Sequence, residues 1–197
     1  MRSNLFAVAC ATAVFLAAGA ANVHAYDVAS LFPQQGMIAT PGTLDGRPQA
    51  VAPQRELVPY TGRYAPGTII VSTEERRLYL VLPDHQALKY GVGVGRPGFS
   101  WSGVKHIAQK REWPEWRPPA QMIRRRPDLP HFMAGGPENP LGARAMYLGG
   151  TLYRIHGSNE PESIGQAVSS GCIRMTNEDV IDLYDRVKIG TRVVVER

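Results

Sequence analysis

The chain has few cysteines. Cys10 falls in an apolar stretch at the N-terminus and Cys172 lies near the other end. If the first residues are a removable leader, a single thiol remains and no internal disulfide can form. After residue 25 no run reaches the roughly 20 strongly apolar residues of a membrane span, so no later anchor is expected. Metal-ligand spacing is missing too. His85, His106 and His131 sit in turn-like or loop-like text and share no such spacing with one another or with Cys172, so neither a metal nor a cofactor is expected. Gly91-Val92-Gly93-Val94-Gly95 is followed by no Lys-Ser or Lys-Thr pair and no helix signal, which argues against a phosphate loop. There is no internal repeat and no heptad.

The first 25 residues do carry a signal. Arg2, the largely apolar stretch from Leu5 to Ala21 and then Val23-His24-Ala25 follow the charged, apolar, small-residue order of a secretory signal peptide, with cleavage expected after Ala25. Thr12, Gly19 and Asn22 interrupt the run and argue against a retained anchor. The expected location is therefore the periplasm, with no stable membrane span after cleavage. The formal charge is +5 at pH 7, and losing Arg2 leaves it basic. Charge alone suits an anionic wall polymer or nucleic acid equally, and export argues against nucleic acid. A lone thiol in an oxidising compartment invites a reason; the alternative is a buried Cys serving as a small hydrophobe.

Residues 26–66 hold six prolines and no sustained apolar period, and read as a leader or linker. Order is expected over 67–197. Thr68-Ile69-Ile70-Val71 and Leu78 to Leu82 flank a charged stretch and predict a hairpin. Ala87 to Tyr90 is a third strand leading into the Gly-Val alternation, where glycines allow close backbone approach. Residues 97–140 hold eight prolines, Trp113, Trp116 and Arg124-Arg125-Arg126. This stretch is expected to be a long insertion without regular structure, either a lid over a site or a passive cover. Ala145 to Leu148 and Leu152 to His156 predict two more strands around Gly149-Gly150. Thr176 caps a helix from about Asn177 to Val187, and Thr191 to Val195 forms a last strand. The fold class is mainly β, with one clear short helix after Cys172.

The segment from Ile155 to Met175 carries the chemistry. Acyl transfer by a thiol needs a sulfur that can ionise, a base in reach and donors for the oxyanion. Ile155-His156-Gly157-Ser158-Asn159 puts a histidine at a strand end, and Ser169-Ser170-Gly171-Cys172-Ile173-Arg174 presents the thiol beside a residue with no Cβ. An ordinary thiol is mostly protonated at neutral pH and needs such a base.

His156-Gly157, the sixteen positions from His156 to Cys172, and Ser169 to Arg174 resemble the signature of the L,D-transpeptidase catalytic domain family, the YkuD type. The likeness extends over about 67–197 and implies an L,D-transpeptidase-like β-sandwich. It implies that Cys172 is the nucleophile and His156 its base, with the Gly157 carbonyl orienting the imidazole and the backbone at Gly171 and Cys172 forming the oxyanion hole. It further implies that Arg174 holds a substrate carboxylate, with Ser158, Asn159, Ser169 and Ser170 also facing substrate. Many members carry His where this chain has Ser170, which can still donate or accept one hydrogen bond. The alternative for Arg174 is an ion pair with Glu178. The implied reaction is attack on the third residue of a peptidoglycan stem peptide, release of D-alanine and transfer to an amine. That acceptor is a second stem or a wall-attached lipoprotein. The rivals are an L,D-carboxypeptidase and a non-catalytic wall-binding module.

Overall fold

The computed structural model describes residues 52–197; the expected signal peptide and residues 26–51 of the expected leader lie outside them. The hairpin forms as expected. Strands β1 (Glu56–Pro59), β2 (Ile69–Ser72), β3 (Arg77–Leu82) and β4 (Gln86–Gly91) open the described chain, and β2 pairs antiparallel with β3, Ile69 opposite Leu80 and Val71 opposite Leu78. Those four side chains are buried, the apolar face of a period-two pattern. Strand β1 pairs with β4 at the edge of the sheet, so regular structure starts before Gly67, inside the segment read as leader. Its exposed Glu-Leu-Val-Pro text has no buried face to betray it.

The larger correction concerns the insertion. After the short β5 (Val94–Gly95), strand β6 (Gly103–Glu112) occupies part of the stretch expected to be irregular. Its first residues pair with β11 (Arg192–Glu196) and its last with β7 (Arg144–Leu148), with a register shift between Ile107 and Gln109. A bulge of this kind bends a strand and increases its twist, and here it coincides with the change of partner. β11 lies between β6 and β2, running parallel to β2. Strands β8 (Arg154–His156) and β10 (Ile173–Arg174) extend the far side, giving a nine-stranded sheet in the order β1-β4-β3-β2-β11-β6-β7-β8-β10. β5 pairs separately with β9 (Ala167–Ser169).

Both halves of this curled sheet contribute to one core, in which Ile69, Leu78, Tyr90, Met146, Ile155, Ile173 and Val193 meet. The mainly β, sandwich-like expectation holds. Two helices are described, α1 (Ala120–Arg125) within the insertion and α2 (Asn177–Arg186) after Cys172. The Asp179 N–H donates to Thr176 Oγ1 at 3.2 Å, the expected cap. Val180 and Leu183, one turn apart, enter the core. Tyr90 Oη donates to Asp182 at 2.7 Å and ties α2 to β4. Burial and this bond push the Tyr90 hydroxyl well above its usual pKa.

Candidate active site

Neighbouring strands bring the first pair of functional side chains together. β8 and β10 run parallel, with Ile155 beside Ile173 and His156 beside Arg174. Paired residues of adjacent strands share a face, and successive residues alternate between faces. The two isoleucines fill the core, and His156 and Arg174 line a cavity of about 970 Å³ that Cys172 also lines. The Ile-His and Ile-Arg dipeptides thus build core with one residue and site with the next.

His156 is buried. Its Nδ1–H donates to the Gly157 carbonyl at 2.5 Å, which assigns the tautomer and leaves Nε2 as the nitrogen able to accept a proton. Burial first, and then the neighbouring Arg174 charge, pull the imidazole down to about 3, against the smaller opposing effect of the Gly157 carbonyl. The ring is therefore neutral at pH 7. Gly157 is required sterically, because a Cβ there would collide with Asn177 Oδ1, the atom that accepts from the Ala143 N–H at 2.9 Å.

Cys172 is partly exposed, and its Sγ lies 3.9 Å from the Leu152 carbonyl. The loop before it is tightly tied. Ser169 Oγ donates to the Cys172 carbonyl at 2.6 Å and accepts from the Gly171 N–H at 3.1 Å. Gly171 has φ +105°, and a Cβ on it would strike the Tyr153 ring. Its carbonyl accepts from Trp101 Nε1 at 2.8 Å, and the Trp101 indole stacks on Tyr153 with centroids 4.7 Å apart. Among the described residues the Cys172 N–H has no hydrogen-bond acceptor.

Trp101 and Tyr153 were not singled out from sequence. Trp101 meets its partner across 70 residues, and nothing local to Ser100-Trp101-Ser102 announces that.

Of the remaining candidates, Ser170 and Asn159 line the cavity. Ser169 touches it but is buried and spends both its hydrogen bonds on the loop. Ser158 does not reach the cavity: it is buried, and its Oγ accepts from the Glu160 N–H at 3.0 Å, closing its own turn. Arg174 is held by Glu160, Nη1 to Oε2 at 2.7 Å, and not by Glu178, because Arg174 lies on β10 and not on the helix where a spacing of four would align them. His85, His106 and His131 are absent from the cavity lining.

The insertion supplies much of the remaining lining. Trp116, Met122, Arg125, Leu129 and Met133 line the cavity, whereas Trp113 and Arg124 do not. Trp116 and Met133 exchange backbone hydrogen bonds at 2.8 and 2.9 Å. The buried Asn139 amide donates to the Pro114 and Ala134 carbonyls at 3.1 and 2.9 Å, stapling the loop shut. This segment is a wall of the site more than a passive cover.

The model of the L,D-transpeptidase catalytic domain matches residues 66–195. The chain is 38% identical over 156 residues to a probable L,D-transpeptidase, ErfK/SrfK, of Escherichia coli strain K12, covering 75% of this chain and 48% of that protein. It is 35% identical over 149 residues to the probable L,D-transpeptidase YbiS of the same strain, covering 72% and 47%. The chain thus spans about half the length of these relatives. In fold it is similar to an L,D-transpeptidase from Mycobacterium smegmatis, with TM-score 0.54 and 17% identity over 66% of this chain and 58% of that one. It is likewise similar to the ertapenem-acylated catalytic domain of an Enterococcus faecium L,D-transpeptidase, with TM-score 0.52 and 22% identity over 68% and 100%. With the domain match spanning most of the described residues, this chain belongs to the L,D-transpeptidase catalytic domain family.

Proposed function

We propose that this protein is an exported cysteine L,D-transpeptidase of peptidoglycan, with residues 1–25 directing export to the periplasm and 67–197 forming the catalytic domain. The observation that carries the reading is the single cavity shared by Cys172, by His156 with its tautomer set by Gly157, and by Arg174. In the first half-reaction Cys172 loses its proton to His156 Nε2 as the sulfur attacks the carbonyl of the third stem residue. The C–N bond to the terminal D-alanine breaks, the imidazolium returns the proton to the leaving amine, and a thioester remains. An amine of a second stem or of a wall-attached lipoprotein then attacks the thioester and surrenders a proton to His156, and the thiolate leaves.

A neutral imidazole held near pKa 3 is a weak base at rest and a strong acid once protonated, which favours rapid protonation of the leaving amine. A substrate carboxylate on Arg174 offsets the charge that opposes imidazolium formation and so couples substrate binding to base strength. The Cys172 N–H serves as oxyanion donor, since the Gly171 N–H is committed to Ser169.

The test is incubation with defined tetrapeptide muropeptides, followed by liquid chromatography with mass detection. Cross-linked dimers with released D-alanine are expected, and Cys172→Ala should abolish them while retaining the fold. Tripeptide without dimer assigns hydrolysis instead, and no product of either kind refutes the enzyme reading.

A further inference from the structure

Two guanidiniums in the cavity gather at one aromatic ring with no acid to answer them. Arg96 follows β5, and its backbone N–H is fixed by the Ser169 carbonyl at 3.0 Å. Its guanidinium lies 4.2 Å from the Phe99 ring centroid, and its Nη1 donates to Ser170 Oγ at 3.2 Å. Arg125, on the insertion wall, faces the same ring at 5.5 Å. Both line the cavity with Cys172, and among the described residues neither has a carboxylate partner. Of the other arginines in the lining, Arg126 pairs with Asp128 at 2.6 Å and Arg174 with Glu160 at 2.7 Å, while Arg154 also lacks an acid but donates to the Leu152 carbonyl at 3.2 Å and lies over the Tyr147 ring.

Two like charges gathered at one ring repel, and the ring face offsets only part of that repulsion. A guanidinium carries five N–H donors in a planar fork, and Arg96 spends one of them on Ser170. What remains is a preformed receptor for a planar anion, for which carboxylate is the geometric match. Its position along the chain is also informative. Arg96 is bonded to the residue two before Cys172, and Arg174 stands two after it. The cavity that holds the sulfur thus carries a second cation site besides Arg174.

We infer that Arg96 and Arg125 form a second carboxylate subsite, which takes the terminal carboxylate of the amino acid expelled on acylation. This rests on the reading that a chain-terminal residue is the leaving group. Arg174 then serves the acyl side, and the new subsite serves the departing side. It selects stems that end in a free acid one residue beyond the attacked carbonyl.

The experiment compares two tetrapeptide stems that differ only at the end, a free carboxylate and a carboxamide. The readout is kcat/KM for release of alanine against alaninamide. Wild-type protein is expected to favour the acid by about tenfold or more, the scale of a charge-assisted hydrogen bond. The double variant Arg96→Gln with Arg125→Gln should bring that ratio towards one. Arg124→Gln, which changes an arginine outside the cavity lining, should leave it unchanged. Arg125→Gln alone, at the exposed last residue of α1, lowers the ratio in part and keeps the test available should loss of the Arg96 contacts unfold the chain. A wild-type ratio of one with brisk turnover of both peptides overturns the subsite and leaves the transpeptidase reading standing. A preference that survives in Arg125→Gln and in the double variant also overturns it. No turnover of either peptide removes the reading on which both rest.

Discussion

Trp101→Phe isolates one hydrogen bond. The Trp101 indole N–H holds the Gly171 carbonyl at 2.8 Å, and in a trans peptide the carbonyl and the following N–H point in opposite directions. Fixing the Gly171 oxygen therefore aims the Cys172 N–H, the proposed oxyanion donor. Phenylalanine keeps a ring against Tyr153 and removes the donor with part of the indole surface, a loss that the parallel alkylation assay controls for. Deleting an oxyanion donor outright costs about a hundred- to thousandfold in kcat. Here the donor stays but loses its brace, worth roughly 1 kcal/mol as a neutral hydrogen bond, so acylation should slow by about fivefold with KM little changed. The assay is single-turnover acylation by a defined tetrapeptide, run beside alkylation of Cys172 by iodoacetamide. Alkylation displaces iodide at a saturated carbon and forms no oxyanion, so its rate and pH profile should not move. Equal losses in both reactions would show that Trp101 tunes the sulfur and not the peptide plane. Unchanged acylation would show that the brace is idle.

Three further outcomes follow from the same geometry. Gly171→Ala, placed at φ +105° and against the Tyr153 ring, should lower stability by about 2 kcal/mol or more and abolish acylation, with urea unfolding as the check. His156 is held near 3 in the folded chain and at about 6.5 when unfolded. Below pH 6.5 the unfolded chain therefore binds a proton that the folded one refuses. The stability this confers is complete above pH 6.5 and drains as pH falls towards 3, amounting to about 2 kcal/mol by pH 5. His156→Gln should remove that part of the slope, and equal slopes in the two proteins would contradict a neutral buried imidazole. Glu160→Gln frees Arg174 from a partly exposed pair with side-chain exposures of 22% and 54%. Such a pair is worth at most about 1 kcal/mol, so KM for a tetrapeptide should fall by up to about fivefold; a rise in KM would mean that Glu160 itself touches substrate.

Much of this was legible because chemistry and local pattern coincide. Val71 and Leu78 announce their hairpin by alternation, Thr176 announces α2 by its place before Asp179, and His156 and Cys172 stand out by type and spacing. What stayed hidden depends on distant partners. β6 presents mostly exposed residues, with Ile107 buried among them, so its ten residues lack the contrast between faces on which strand reading depends. β1 is an edge strand that borrows its order from β4. Ser158 looks like a site residue in sequence, yet its hydroxyl is consumed by Glu160 within its own turn. Arg174 would address Glu178 only if both were helical; once β10 forms, the nearby acid is Glu160. Trp101 carries no local signal because its role is created by a contact to a loop that lies far along the chain.

The placement of β11 constrains the order of assembly. It is the last strand of the described chain and lies inside the sheet, joining β2 to the first part of β6. Until the ribosome has released those five residues, the two blocks on either side lack a common neighbour, and Val193 and Val195 are missing from the interior. Such long-range closure is slow. A polypeptide built this way locks only after β11 has joined the two blocks.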